Sequence, residues 1–582
     1  AEVLIEGCDK TSIEYVYGGG NAAAVPATEI TINSAYIIGY LFGGGNGAGA
    51  GNPGADVGVI DKEAYEADHS SGIYGTGIAK TKLIGGQIRY VYGGSNTKGN
   101  VRGGTTLERN ETNTCELKVK EIYGAGQVAP MDGDVNIVLE CMPKEFVEAV
   151  YGGAKNATIN GNVSLTVTSG KFGRVFGGNN EGGSINGSIT VNAYEDGCEP
   201  LIIGELYGGG YNAPYSIWGC NDNDNDGTWT PNTPAGNPHV AAGNNAIEVN
   251  VYSCTSIGKV FGGGYGEPAK VIGNTHVYIN TMQGIVKKVP RTYETEPENV
   301  YIGKIGQVFG GGYGASVEGD VTIDIGTATV YAYGTESEAE KIGIRIISGT
   351  DYLNATSNTT TPITAGVYGG GFSADVDGNV TLNIGKVSQN QGINIAGDIF
   401  GGGYGESTHV TGSVTVNIGA DTGTGSTHNY VGYANITGDV YGGSAKGKVN
   451  SYLNSSNVET ASEGKTTHVN FYGGTIQDTD PSTNKGNIYG GGLGDLASLG
   501  EGHDDVAADV YGPVAVTMGS GSVNNVFGCN NYKGTPKNVV TVDINGGTVN
   551  RNVYGGGNQA AYTYTPSENQ YCPVVNINNG TI

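Results

Sequence analysis

The octet VFGGGYGE at residues 260–267 recurs almost unchanged as VFGGGYGA at 308–315 and as IFGGGYGE at 399–406. Three consecutive glycines are costly to order, because glycine loses more conformational freedom on folding than any other residue. A chain that repeats such a stretch either uses it to cradle a ligand or repeats a structural unit. The surrounding sequence favours the repeated unit.

Looser copies of the octet run through the whole chain. Each places an aromatic residue after Val, Ile or Leu and before Gly, and we call this aromatic residue the anchor. We count fifteen anchors: Tyr17, Phe42, Tyr92, Tyr123, Tyr151, Phe176, Tyr207, Phe261, Phe309, Tyr368, Phe400, Tyr441, Tyr489, Phe527 and Tyr554. The shortest step between anchors is 25 residues. A period of this length indicates a repeat architecture.

Each unit also contains a stretch in which β-branched residues alternate with polar ones, such as VTIDIG at 321–326 and VTLNIG at 380–385. This alternation predicts a β-strand with one apolar face. A unit of about 25 residues cannot bury that face alone, whereas stacked units can. The sequence therefore predicts an all-β fold, an elongated parallel β-solenoid (β-helix) of about 15 coils and roughly 70 Å. A β-propeller is the alternative, although the short step does not suit a four-stranded blade.

We expect one continuous repeat array over residues 1–582, in which the longer units carry loop insertions. These insertions lie near 47–72, 213–246, 282–306, 327–365 and 420–438. The glycines of the octet are expected to form a tight corner where stacked backbones approach closely and where φ is positive. A phosphate cradle is disfavoured, because strands rather than a helix follow the glycines.

The charge of the chain limits its partners. The formal net charge is −26, from 30 Lys and Arg against 56 Asp and Glu. We expect no nucleic-acid partner, because neutralising phosphates requires a basic surface. The sequence contains no run of about 18 apolar residues, so it predicts no membrane span. The first residues already look like a strand and the last stop within the pattern, so we expect a processed protein or part of a longer one.

Equivalent positions of successive coils stack in a solenoid, and the residue four after the anchor tests this prediction. In six coils it is Asn: Asn21, Asn46, Asn96, Asn180, Asn531 and Asn558. In five successive middle coils it is aromatic: Tyr211, Tyr265, Tyr313, Phe372 and Tyr404. These patterns predict a partial asparagine ladder and a continuous aromatic ladder. The aromatic ladder either stabilises the rod, by about 0.5–1.5 kcal/mol per pair, or forms an exposed strip that binds a glycan or a partner.

Cysteines also follow the repeat. The chain has eight, an even number that suits an oxidising compartment. Cys115 and Cys141 precede the anchors of adjacent coils, as do Cys198 and Cys254, so each pair is expected to lie within disulfide reach. We predict the disulfides Cys115–Cys141 and Cys198–Cys254, with free thiols packed in the core as the alternative. No C-x-x-C motif occurs, so zinc is not expected.

One insertion contains a candidate metal site. The stretch NDNDNDG at 221–227 places Asp222, Asp224 and Asp226 before Gly227, like the start of a calcium loop. The bidentate Glu of such loops is absent, because the twelfth position is Thr233. Calcium is therefore the one candidate cofactor, and a solvated polar loop is the alternative.

Catalytic residues cannot be assigned from the sequence. Glycoside hydrolysis needs two carboxylates placed on either side of the bond. A lyase of the β-helix type would need a basic residue beside clustered acids. The spacing of the charged residues shows neither arrangement, so we expect no enzymatic activity.

The repeats resemble a known family. Stretches such as GDVTIDIG (319–326), GQVFGGGYG (306–314) and GDVYGG (438–443) resemble the YGGG-type β-strand repeats of very large, adhesin-like bacterial surface proteins. The resemblance covers nearly the whole chain and implies an extracellular, cell-surface location. We therefore expect a structural or adhesive protein that binds a glycan or a partner surface. The alternatives are a filament or sheath subunit that self-associates end to end, and a carbohydrate-active β-helix enzyme.

Overall fold

The computed structural model of the chain is nearly all β, which confirms the predicted parallel β-solenoid. It describes residues 1–48, 54–58, 76–195, 198–222, 228–232, 245–279, 284–285, 300–301, 303–327, 343–389, 392–424, 427–480, 482–497, 504–563 and 572–582. Within these ranges the only helix is a 3-10 turn at Glu267–Ala269. No helix among them is long and apolar enough to cross a membrane.

Each coil starts with one of the alternating strands, and these strands form a parallel sheet that we call sheet A. They pair in chain order without interruption. Their bounds are Glu2–Ile5, Thr28–Ile32, Ala79–Leu83, Thr105–Arg109, Val135–Leu139, Val163–Val167, Ile189–Ala193, Asn245–Val251, Asn274–Ile279, Val321–Ile325, Val380–Ile384, Val414–Ile418, Thr467–Phe471, Val514–Met518, Val540–Ile544 and Val574–Ile577. The first fifteen of these strands each lead to one anchor, and we number the coils by their anchors.

The strand that ends at the anchor belongs to a second parallel sheet, sheet B. In coils 1 to 9 it is continuous: Ser12–Tyr17, Ile37–Phe42, Gly86–Tyr92, Leu117–Tyr123, Phe146–Tyr151, Gly170–Phe176, Leu201–Tyr207, Ser256–Phe261 and Lys304–Phe309. In coils 10 to 13 it is split in two: Ile344–Ile346 and Gly366–Tyr368, Ile393–Ile395 and Asp398–Phe400, Ala434–Ile436 and Val440–Tyr441, Thr475–Ile476 and Asn487–Tyr489. In coils 14 and 15 the strand is continuous again: Ser522–Phe527 and Thr548–Tyr554. Anchors pair in register, as Phe261 with Phe309 does.

A short third side closes each coil. Its strands are Met131–Asp132, Ile159–Asn160, Tyr215–Ser216, Val271–Ile272, Val317–Glu318, His409–Val410 and Lys448–Val449. Insertions form antiparallel hairpins: Cys220–Asn221 with Thr230–Pro231, Gly284–Ile285 with Val300–Tyr301, Gly349–Leu353 with Thr360–Ile363, Ala420–Asp421 with Tyr430–Val431, and Ser451–Leu453 with Glu459–Ala461. The sequence VYG at 510–512 also matches the anchor pattern, but it lies on the third side of its coil, where Val510 forms a β-bridge with Val449.

The core follows from the alternation in the sequence. In coil 10, Val321, Ile323 and Ile325 of sheet A are buried, whereas the polar residues between them are partly exposed. In sheet B the aliphatic residue before each anchor points into the core, as Val260 does. The anchor, one residue later, therefore lies on the outer face of sheet B.

The glycine corner is needed for close approach of stacked backbones. A Cβ at Gly262 would lie 2.2 Å from the carbonyl oxygen of Gly310 in the next coil, and one at Gly263 would lie 2.8 Å from the backbone nitrogen of Gly312. Positive φ occurs at Gly266, after the triplet, and not within it. The predicted close approach is therefore confirmed, and the predicted positive φ of the triplet is wrong.

The cysteines pair differently from the prediction. The structure contains the disulfides Cys8–Cys115 and Cys141–Cys198, with Cα atoms 5.8 and 5.2 Å apart. The predicted pairs Cys115–Cys141 and Cys198–Cys254 are therefore wrong. Cys254 is a fully buried free thiol.

Unequal corners between sheets A and B explain the pairing. The corner of coil 4 has seven residues (110–116), whereas those of coils 2 and 3 have only four and two. The long corner extends along the rod across the short ones, and the Asn113 side chain donates a hydrogen bond to the Asn33 carbonyl oxygen of coil 2 at 2.5 Å. Cys115 thus reaches coil 1. In the same way, Cys141 of coil 5 meets Cys198 of coil 7 across the two-residue corner of coil 6.

Candidate functional site

The anchors form one aromatic ladder along the outer face of sheet B. All fourteen successive pairs are stacked, with ring centroids 4.6–5.2 Å apart and interplanar angles of 5–13°. In coils 2 to 14 these rings are buried although they point away from the core. Other side chains must therefore cover them, and the covering differs along the rod.

In the middle of the rod, the cover is the predicted aromatic ladder. Tyr211, Tyr265, Tyr313, Phe372 and Tyr404 stack in that order, with centroids 4.7–5.1 Å apart. Each ring also packs edge-on against the anchor of the preceding coil, as Tyr265 does against Tyr207 at 5.7 Å and 86°. The ladder itself is confirmed, and its role in binding stays a prediction.

Asparagines occupy the same position toward both ends of the rod. The Asn46 side chain donates to Asn21 Oδ1 at 2.7 Å, and Asn96 donates to Asn46 Oδ1 at 2.9 Å. Asn558 likewise donates to Asn531 Oδ1 at 3.0 Å. These two runs confirm the partial asparagine ladder.

Stacking hides the faces of the aromatic rings. A ring with a neighbour on each side presents only its edge to water, so the inner rungs of the aromatic ladder offer no flat surface. Tyr211 begins the ladder, because it stacks on Tyr265 while the equivalent residue of coil 6 is Asn180. The Arg174 guanidinium lies 5.9 Å from the centre of the Tyr211 ring. Tyr404 ends the ladder on the other side, where the equivalent residue of coil 12 is Ala445, but only Tyr211 lines a groove.

Tyr211 faces a groove on the outer face of sheet B. The groove has a volume of about 580 Å³ and spans coils 2 to 7. Its floor contains the anchors Tyr92, Tyr123 and Tyr151, which are the only three successive anchors that are all Tyr. Here polar residues replace the aromatic cover. The side chains that line its walls include Tyr40, Tyr90, Glu121, Gln127, Glu148, Lys155, Arg174, Asn180, Glu181 and Asn212.

The floor of the groove is held by hydrogen bonds. The Tyr123 hydroxyl donates to Glu121 Oε2 at 2.7 Å and accepts from the Asn180 side chain at 2.8 Å. Burial, followed by the negative charge of Glu121, raises the pKa of the Tyr92, Tyr123 and Tyr151 phenols well above the usual range. The three phenols therefore stay protonated and neutral.

Charges of both signs line the walls. Lys155 Nζ lies 3.3 Å from a Glu181 oxygen. Arg174 Nε donates to Glu205 Oε2 at 3.1 Å, and its guanidinium lies 4.8 Å from the ring centre of Tyr265. Burial works to lower the pKa of Arg174, but Glu205 reverses this and raises the pKa above its usual value. The walls thus combine carboxylates, cations and amides that can donate and accept hydrogen bonds.

A hairpin closes one end of the groove. Residues 349–363, which we call the strap, extend from coil 10 back over coils 6 to 9. The strap lies on glycines three residues before the anchors: Gly173, Gly204, Gly258 and Gly306. A Cβ at Gly204 would lie 2.9 Å from the Cα of Ala355, so only glycine leaves room for the strap. At its tip, Ala355 and Thr356 line the groove.

Sequence reasoning missed the groove and the strap. Of the five predicted ring residues, only Tyr211 lines the groove. A signal was present in the row three before the anchor, where coils 3 to 5 have Arg89, Lys120 and Glu148 and coils 6 to 9 have glycine. The predicted calcium ligands Asp224 and Asp226 lie outside the described residues, so calcium stays a prediction. Across the residues described, no group of His, Cys, Asp and Glu could hold a metal ion.

No family model matches the chain, and no significant match was found among curated proteins or solved structures.

Proposed function

We propose that the chain is the rod of an extracellular surface protein and that it binds a glycan in the groove. The observation that carries this proposal is the ring of Tyr211, the first of its ladder, at the end of a polar groove. A sugar ring has apolar C–H faces that pack on an aromatic ring, and hydroxyl groups around its edge. The groove offers both kinds of contact.

The walls suit the edge of a sugar. Glu148, Gln127 and Asn212 line the groove on both sides of its floor and can accept or donate hydrogen bonds to hydroxyl groups. Equivalent positions recur once per coil, so the contacts run along the rod in the direction of an extended chain. A polar cleft with few apolar residues is also poorly suited to an apolar ligand.

The extracellular location is supported by the two disulfides, Cys8–Cys115 and Cys141–Cys198. Disulfides persist in oxidising environments and are rare in the reducing cytosol. The resemblance to adhesin-like surface repeats points to the same location.

The test compares two tyrosines of the same ladder. The full chain is screened on a glycan array, and the affinity of the best ligand is measured by calorimetry for Tyr211→Ala and Tyr313→Ala. Both variants lose a stacked ring, but only Tyr211 faces the groove. We expect Tyr211→Ala to lose most of the affinity and Tyr313→Ala to bind like the wild type. Absence of any bound glycan, or equal losses in the two variants, would refute the proposal.

A second candidate function, cleavage of the bound glycan, is favoured by one observation. The groove places Glu121, Glu148, Lys155 and Arg174 on three neighbouring coils. Clustered carboxylates beside a basic residue are what a β-helix lyase or hydrolase requires. Incubation of the array's best ligand with the protein, followed by mass spectrometry, tests this function. Shortened products that disappear in Glu121→Gln would support cleavage, and an intact ligand would exclude it for that glycan.

A further inference from the structure

The cations of this acidic chain are concentrated around the groove. Residues 79–188, which form coils 3 to 6, contain twelve Lys and Arg against ten Asp and Glu. The whole chain has 30 Lys and Arg against 56 Asp and Glu. Coils 3 to 6 are thus a locally positive part of a surface that otherwise repels anions.

A second cavity adjoins the groove and contains three of these cations. It has a volume of about 280 Å³ and lies on the outer face of sheet B in coils 2 to 5. Its lining includes Arg89, Lys118 and Lys120, against the two carboxylates Glu145 and Glu148. Glu148 also lines the groove, so the two cavities lie on either side of a shared wall.

The three cations are available to a ligand. Lys118 Nζ lies 3.4 Å from a Glu145 oxygen, and Lys120 Nζ lies 3.5 Å from a Glu148 oxygen. All four side chains are between 41% and 51% exposed. Ion pairs as exposed as these contribute little to the stability of the fold. Each lysine can therefore exchange its carboxylate partner for an anion of the ligand. Arg89 is exposed and has no ion pair within the described part of the chain.

Lys120 links this cavity to the groove. Its Nζ donates to the Tyr90 hydroxyl at 3.3 Å, and Tyr90 lines the groove. An anionic group held at Lys120 would therefore be one side chain away from a sugar ring in the groove. This is the geometry expected for an acidic group carried on a sugar.

We propose that the glycan is acidic, and that the cavity around Arg89, Lys118 and Lys120 binds a carboxylate or sulfate group of a polysaccharide whose sugar rings occupy the groove. This inference rests on the proposed function and names the class of ligand. Three cations against two carboxylates leave one net positive charge in the cavity, which suits one acidic group. Nucleic acid fits less well, because its closely spaced phosphates would extend onto the acidic surface around coils 3 to 6.

The experiment uses the full chain and four probes: heparin for sulfate, polygalacturonate for carboxylate, dextran as a neutral polymer and a short DNA duplex. The triple variant R89Q/K118Q/K120Q is compared with K386Q/K533Q/R551Q, which removes the same charge far from the cavity, in coils 11 to 15. We expect heparin or polygalacturonate to bind the wild type, and the first triple to weaken that binding about tenfold or more. The control triple should change it by less than about twofold, and added salt should weaken it.

Each outcome supports or overturns the inference. Preference for heparin assigns the site to sulfate, and preference for polygalacturonate assigns it to carboxylate. Equal weakening by both triples would mean that only long-range charge acts, and the inference would be wrong. It would also be wrong if DNA bound as tightly as the polysaccharides. Binding of neutral glycans alone, sensitive to Tyr211→Ala, would overturn the inference while leaving the proposed function standing.

Discussion

Coils 3 to 5 and coils 7 to 11 share one backbone plan and differ in what covers the outer face of sheet B. In coils 7 to 11 the residue four after the anchor is aromatic, and these rings form a second ladder over the anchors. In coils 6 to 9 the residue three before the anchor is glycine, and the strap lies over these glycines. In coils 3 to 5 the same positions hold polar and charged residues, and the face is a groove. Two positions per repeat thus decide whether the buried anchors lie beneath rings and the strap or beneath the polar side chains of a groove.

The two regions also differ in how they are stabilised. Both disulfides join coils between 1 and 7, the part of the rod that contains the groove. Most of the second aromatic ladder and of the strap lies in the covered part, and only Tyr211 and the tip of the strap reach the groove. Cross-links constrain the unfolded chain without occupying the surface. The groove region therefore gains stability from a source that leaves its face accessible.

Removing the disulfides is expected to have the largest effect, and only on the groove region. The quadruple variant C8S/C115S/C141S/C198S should lose about 2–4 kcal/mol for each disulfide. Hydrogen exchange should speed up in coils 1 to 7 and stay unchanged in coils 8 to 13. A reducing agent added to the variant is the control and should have no further effect. Uniform loss of protection along the rod would contradict the division into two regions.

Removing a rung of the aromatic ladder should destabilise the covered region. Tyr313 stacks on Tyr265 and Phe372 at 4.9 and 4.7 Å and packs edge-on against Phe261. We expect Tyr313→Ala to lower the free energy of unfolding by about 2–4 kcal/mol. Gln127 occupies the same position in the groove region, and Gln127→Ala should cost less than about 0.5 kcal/mol. Urea unfolding of both variants measures the difference, and equal costs would mean that the ladder adds no stability.

Weakening the strap should act locally. Ile363 is 8% exposed and lies over Gly258 and Gly306. Ile363→Ala removes this contact and should cost about 2 kcal/mol, mostly as easier opening of the strap. Hydrogen exchange should increase in residues 349–363 and in the sheet B strands of coils 8 and 9. Thr359→Ala, near the exposed tip, is the matched control and should leave exchange at the base of the strap unchanged. Faster exchange throughout sheet A would show that the strap supports the whole rod.

The sequence predicted the repeating part of the structure well. The anchor, the alternating strand and the position four after the anchor recur in every coil. The same physical argument therefore holds for fifteen coils, and one irregular coil does not change the predicted fold. The stacked rings from Tyr211 to Tyr404 followed from spacing alone. Repetition is therefore what made the fold and both ladders predictable.

The parts that do not repeat were not predictable in the same way. The cysteine pairing depended on corner lengths that differ from coil to coil, which carried Cys115 past two coils. The strap contacts residues more than a hundred positions away, such as Lys171 with Asn358. Only the run of glycines from Gly173 to Gly306 marked where it would lie. The groove forms where polar side chains beside the anchors and the tip of the strap lie together, and neither feature belongs to the repeat pattern.

The position two before the anchor holds a buried carboxylate in a coil outside the groove. In the groove this position holds Glu121, whereas in coil 12 it holds Asp439, which is only 4% exposed. Asp439 Oδ1 accepts hydrogen bonds from the backbone and the side chain of Asn487, both at 2.9 Å. Burial, followed by the charge of Asp398 in the preceding coil, raises the pKa of Asp439 to about 6.

The raised pKa sets the direction of the pH effect. The stability that Asp439 contributes in its protonated form is fully present below its ordinary pKa and is lost as the pH rises through about 6. Asparagine cannot ionise and can still accept the bonds from Asn487. Relative to the wild type, Asp439→Asn should therefore gain about 3 kcal/mol of stability between the acidic and the alkaline side of this range. Urea unfolding over a pH series measures the gain, and parallel curves for the two proteins would show that Asp439 is not a strained buried charge.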